Sequence, residues 1–123
     1  MNWKKVGLVL VILIAVEIFY ISSIVPPTIG PEGNRIVPIA YHFIIFTLFS
    51  FFLYLATYSR EPDESYWFVI IFSTLYAISD ELHQLFVPFR TCTLFDVVID
   101  FAGIGFGLIL FAIIYEEKLK YAN

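Results

Sequence analysis

The sequence predicts an all-α membrane protein, a bundle of four transmembrane helices with both termini cytoplasmic, on three observations. Of its 123 residues, 60% are hydrophobic and 20% aromatic, against 15% charged. That is more apolar surface than a water-soluble domain of this length can bury. The apolar residues fall into four stretches, each close to the ~20 residues that a helix needs to cross a hydrocarbon core. Finally, Lys4, Lys5, Arg60, Lys118 and Lys120 flank the ends that share one side, whereas the opposite loops offer only Arg35 and Arg90. The positive-inside bias places the richer side in the cytoplasm.

The first helix is expected over 6–24. Lys4 and Lys5 precede it as they would a signal peptide, but the apolar run is too long for an h-region and lacks a small-residue cleavage site. Pro26-Pro27 and Gly30-Pro31 break the outer loop that follows. The second helix is expected over 38–58, the third over 66–86 and the fourth over 94–115, with Pro62 and Pro88 marking the gaps. The four form a single unit over residues 1–123, without a linker or low-complexity tail.

Two patterns inside the spans read as packing. Gly103-Ile104-Gly105-Phe106-Gly107 lies in an apolar helix and precedes no nucleotide-binding unit, so Gly103 and Gly107 are assigned to close helix approach in small-xxx-small spacing. Trp3, Tyr20, Tyr41, Tyr58, Tyr66, Trp67 and Tyr115 sit near span ends, as an interfacial aromatic belt does. The net charge of −4 and the scattered basic residues exclude nucleic acid as a partner. Cys92, the single cysteine, has no partner for a disulfide or a thiolate zinc site.

The chemistry concentrates at Ser79-Asp80-Glu81-Leu82-His83-Gln84, at the end of a stretch otherwise built for lipid. An ionisable side chain at the bilayer centre costs about 2.5–3.5 kcal/mol on insertion scales, so such groups face partners, a water-filled cavity or a ligand. Folding the other polar residues onto the topology brings them to the same level. Glu17, Ser22 and Ser23 lie toward the outer end of the first helix, His42 one turn into the second, and Asp96 and Asp100 at the start of the fourth. The expectation is a polar chamber in the outer leaflet, open toward the outer surface and capped by the two outer loops.

Helical spacing says which groups can meet. Asp80 shares a face with His83 or Gln84, and Asp96 with Asp100. Glu81 is turned by about 100° from Asp80, so the two acids need different surroundings: one lines the chamber while the other contacts a neighbouring helix or Arg90. Some assignments stay open at this level. Thr93-Leu94-Phe95-Asp96 fits a capping box, so Asp96 either caps the fourth helix or joins the site. His42 is a satisfied interfacial histidine or a ligand; Arg90 is a loop charge at lipid headgroups or a bidentate phosphate binder.

These residues also carry a resemblance. The string from Asp80 through Gln84 to Pro88 and Arg90, followed by Asp96, Asp100, Gly103 and Gly107, resembles the VanZ-like family of small membrane proteins. Tyr20-Ile21-Ser22-Ser23 with Pro26, and His42-Phe43, match its earlier signatures. The chain departs from the family where an acidic-lysine pair commonly precedes the second-helix histidine: here the residues are Pro38-Ile39-Ala40-Tyr41. It also has Phe46 where a tyrosine is common. The family's namesake is associated with low-level teicoplanin resistance, which implies the outer leaflet and lipid-linked envelope molecules as the place and kind of partner.

The expected function is therefore binding, or chemical modification, of a lipid or lipid-linked envelope molecule. Arg90 would engage an anionic headgroup, with Gln84, Glu17, Ser22, Ser23 and Asp96 around the substrate. His42 or His83 would transfer a proton, and Asp80, Glu81 and Asp100 would supply a base. Asp80, His83, Asp96 and Asp100 are the candidate ligands of a divalent metal ion, for which oxygen-rich ligation suits magnesium, calcium or manganese and the histidines admit zinc. The alternatives are a proton- or ion-coupled small carrier acting as a homo-oligomer, and a structural membrane protein.

Overall fold

The computed structural model describes residues 2–25, 36–58 and 62–116, apart from the side chains of residues 62, 63 and 116. Pro26, Pro27, Gly30, Pro31, Arg35, Arg60, Lys118 and Lys120 lie outside the described residues. Four long helices account for most of the rest: α1 (Trp3–Ser23), α2 (Ile36–Thr57), α3 (Pro62–Gln84) and α4 (Leu94–Phe111), the last running into a π-helical turn, Ala112–Glu116.

The sequence explains where the helices begin and end. Asn2 caps α1, its side-chain oxygen accepting from the Lys5 amide at 3.3 Å. α3 starts at Pro62, earlier than expected, because a proline at the first helical position has no amide to leave unsatisfied. It closes at Gln84, where the amides of Phe86 and Val87 fold back onto the carbonyls of His83 and Gln84. Thr93 and Asp96 form a complete capping box at the start of α4.

α2 is the central helix, packed against α1, α3 and α4, whereas α1 and α4 do not touch. The α2–α4 seam depends on small residues. A β-carbon on Gly103 would come within 2.6 Å of the Phe43 carbonyl oxygen, and one on Gly107 would collide with the Thr47 carbonyl and the Ser50 hydroxyl. With the backbones this close, Thr47 donates across the seam to the Gly103 carbonyl and Ser50 to the Ile104 carbonyl, each at 3.1 Å.

The outer surface is apolar. Leu13, Val16, Ile71, Leu75 and Ile109 are each more than half exposed, a belt that only lipid can cover without cost. α1, α2 and the continuous stretch Leu94–Tyr115 are long and apolar enough to cross a membrane. α3 carries the polar run and is less apolar. The protein is an all-α, multi-pass integral membrane protein.

Candidate functional site

One end of the bundle gathers ionisable side chains from three helices. His42 lies two turns into α2, Asp100 two turns into α4 and Glu81 in the last turn of α3, and all three are buried. His42 Nδ1 is 2.8 Å from Asp100 Oδ1 and 3.7 Å from Glu81 Oε1. One donor atom from each of the three lies within 4.8 Å of the others, the spacing of a site that can hold a metal ion. Phe46, one turn on, stacks over the imidazole at a centroid distance of 6.5 Å, and Tyr41 meets it edge-on. The trio thus sits in an aromatic frame.

Its hydrogen bonding is incomplete. Glu81 is 2% exposed, yet neither of its carboxylate oxygens has a hydrogen-bond partner, and Asp100 Oδ2 lacks one as well. Buried polar atoms are nearly always satisfied, and a buried carboxylate is the most expensive exception. The three carboxylate oxygens without a partner belong to the two groups that flank His42 Nδ1.

Beside the trio runs a hydrogen-bonded polar branch. Gln84 Nε2 donates to Asp80 Oδ2 at 3.0 Å, one helical turn back, and to Ser22 Oγ on α1 at 3.4 Å. Asp80 and Glu81 point in different directions, as their 100° offset requires. Asp80 faces Gln84, and Glu81 turns toward His42.

The remaining site candidates lie at the rim. His83 Nε2 is 2.9 Å from Ser23 Oγ, whose hydroxyl donates to the Phe19 carbonyl, and the His83 ring stacks on Phe19. Glu17 is exposed on α1. Asp96 is engaged in its cap, Oδ2 accepting from the Thr93 hydroxyl at 2.7 Å and the Thr93 amide at 3.2 Å. Arg90 caps a different helix: its Nη2 donates to the carbonyls of Ile21 and Ile24 at 2.7 and 3.2 Å, and its Nε to Ile24 at 3.3 Å. A guanidinium is well placed there, at the negative end of the α1 dipole.

Of the four expected metal ligands, Asp100 alone belongs to the trio; Asp80, His83 and Asp96 lie outside it, and His42 and Glu81 complete it. Asp80, Glu81 and Asp100, acids of the expected chamber, are buried, and most of the first of the two loops expected to cap it lies outside the described residues. Arg90 ties the α3–α4 connection onto the end of α1, and the helix ends close around the acids. Two neighbours escaped the sequence reading. Tyr41, assigned to the interfacial belt, has a buried hydroxyl without a partner; its position directly before His42 was the signal. The thiol of Cys92 lies beside Glu81, and burial, followed by that carboxylate, pushes its pKa up to about 11. At neutral pH the thiol therefore stays protonated, a weak nucleophile and a poor ligand.

No curated protein and no solved structure matches the chain. A family model does, and it runs over residues 6–115. That span includes nearly all of the four helices, the buried trio, the Asp80–Gln84 branch and the Arg90 cap. A match over so much of the chain shows descent rather than a shared local motif: the protein belongs to the VanZ/LLP1 family.

Proposed function

We propose that the trio of His42, Glu81 and Asp100 holds a divalent cation in the outer leaflet, and that this centre binds the anionic headgroup of a lipid or lipid-linked envelope molecule. In this reading all four helices span the bilayer and both termini are cytoplasmic. The distribution of Lys4, Lys5, Arg60, Lys118 and Lys120 supports that orientation. α3 can span because its acids turn into the bundle, where Asp80 and Glu81 are buried.

The observation that carries the reading is the buried Glu81 carboxylate, 3.7 Å from His42 Nδ1 and without an N–H or O–H donor, with the thiol of Cys92, a weak donor, beside it. One imidazole nitrogen and two carboxylates suit zinc or manganese and leave a coordination position open. The 2.8 and 3.7 Å separations about His42 Nδ1 straddle the ~3.4 Å that tetrahedral donors about 2.1 Å from zinc would show. A bound cation would neutralise the carboxylates and offer a phosphoryl or carboxyl oxygen a Lewis-acid partner.

The chain's own residues then have distinct tasks. Gln84 fixes Asp80 and ties α3 to Ser22 on α1, holding the wall of the site. Arg90 engages the headgroup by exchanging its carbonyl partners on α1 for headgroup oxygens, which loosens the connection over the trio as the ligand arrives. His83, at the rim with Ser23, is placed to exchange a proton with the bound molecule.

Elemental analysis of the purified protein tests the centre. Wild type should carry one equivalent of zinc or manganese, Glu81→Gln and Asp100→Asn should lose it, and Asp96→Asn, which touches only the cap, should keep it. Circular dichroism would establish that each variant remains helical. Metal-free wild type after reconstitution with either ion, or unchanged metal in both trio variants, would overturn the reading.

A further inference from the structure

At the opposite end of the bundle from the trio, the helices part. Three hydrogen bonds join α1 to α3 at or beyond Ala15: Tyr76 Oη donates to the Ala15 carbonyl at 2.7 Å, Gln84 to Ser22 at 3.4 Å, and Ser23 pairs with His83 at 2.9 Å. Before Ala15 the two helices diverge and leave a groove of about 510 Å³ over α2. Leu8 and Ile12 form one wall, Phe68 and Phe72 the other, and Leu53 the floor. The Tyr76–Ala15 bond closes the inner end, with Phe49 stacked on Tyr76 at a centroid distance of 5.0 Å.

The open end is different in kind. Asn2, Lys4 and Lys5 stand there, and among the described residues no acidic side chain lines the groove. From Lys4 to Ala15, α1 runs about 16 Å at ~1.5 Å per residue, close to half of the ~30 Å hydrocarbon core. A second, smaller groove of about 340 Å³, bounded by Leu55, Tyr58 and Phe111, meets the first at Asn2 and Lys4. Two apolar channels that converge on a pair of lysines match one chemistry: two acyl chains joined at an anionic headgroup.

We propose that this end binds one anionic diacyl phospholipid, its headgroup at Lys4 and Lys5 and its chains in the two grooves. The site is separate from the trio and independent of whether the trio holds a cation. It differs from the general lipid belt in having a closed end, a fixed length and a charge at its mouth. Snorkelling lysines over an apolar slot attract anionic lipid through both parts of the side chain.

Native mass spectrometry of protein exchanged into phosphatidylglycerol or phosphatidylcholine of identical acyl chains, followed by progressive detergent stripping, tests the proposal. The expected result is one phosphatidylglycerol retained per chain after the other lipids are gone. Lys4→Gln with Lys5→Gln should lower that retention about twenty-fivefold, each lysine near the charged surface contributing about fivefold. Ile12→Trp, which fills the groove, should abolish it, whereas Val16→Trp on the outward face should not. A phosphatidylglycerol with a photoreactive acyl chain should crosslink to Leu8, Phe68 or Phe72. Equal retention of the two lipids, identical behaviour of the two tryptophan variants, or a lipid-free dimer seated on the groove would overturn the proposal.

Discussion

The two ends of this bundle are held together by opposite means. At one, His42, Glu81 and Asp100 meet in a buried cluster whose hydrogen bonding is short of partners. At the other, Tyr54, Phe111, Tyr58, Tyr66 and Tyr115 pack ring against ring, Tyr54 and Phe111 at a centroid distance of 4.3 Å. In lipid, apolar side chains gain little by meeting one another, so the aromatic end is stabilised by shape and dispersion. The polar end gains much more from a correct set of partners and loses much more from a missing one. Packing, with ordinary hydrogen bonds such as that from the Ser65 hydroxyl to the Thr57 carbonyl, holds the first; the second needs an occupant or a proton to balance it.

Breaking the balance at the polar end should therefore produce the largest effect. His42→Ala removes the one basic group between two buried carboxylates. Removing one partner of a buried ion pair costs about 3–5 kcal/mol because the other charge is left uncompensated. The loss should appear as a lower midpoint in denaturant titrations of detergent-solubilised protein followed by circular dichroism. If the variant unfolds at the wild-type midpoint, the cluster does not hold the helices, and the contrast between the two ends fails.

Between the ends lies the α2–α4 seam, which sharpens the comparison because its hydrogen bonds form only where small residues let the two backbones approach. Gly107→Ala would drive a methyl group into the Thr47 carbonyl and Ser50 hydroxyl, while Gly105 on the same helix faces open space. Overpacking should cost the first about 1–3 kcal/mol. Gly105→Ala should be neutral or gain up to about 1 kcal/mol, the helix-propensity difference. The pair is to be compared in one unfolding assay. Equal effects would mean that the seam opens to admit a methyl group, and that close backbone approach is not what aligns His42 with Asp100.

Much of this was legible in the sequence, for physical reasons that differ by residue. Apolar runs of spanning length have few structural outcomes, so the four helices could be placed to within a few residues. The co-location of His42, Glu81 and Asp100 followed from helix direction and level. Which acids would face each other did not, because that depends on helix rotation about its axis. Asp80 and Glu81 are neighbours in sequence with opposite fates: Gln84 takes one, while the other turns to His42. Arg90 was read for its charge, and its capping of α1 is a contact between residues 69 apart that no local pattern encodes. The lipid groove is likewise a product of divergence between α1 and α3, invisible in either helix alone.

The smallest expected effect separates the rim from the cluster. Thr93 and Asp96 lie within two turns of Asp100, yet their capping box is exposed and fully bonded. Thr93→Ala removes a hydroxyl that accepts from the Asp96 amide and donates to its carboxylate, a loss of about 1 kcal/mol typical of helix caps. It should shift the unfolding midpoint slightly and leave the metal content of the protein unchanged. A loss comparable to that of His42→Ala, or a loss of metal, would mean that the cap and the trio form one network through the first turns of α4. The boundary drawn between structural and functional acids would then move outward to include Asp96.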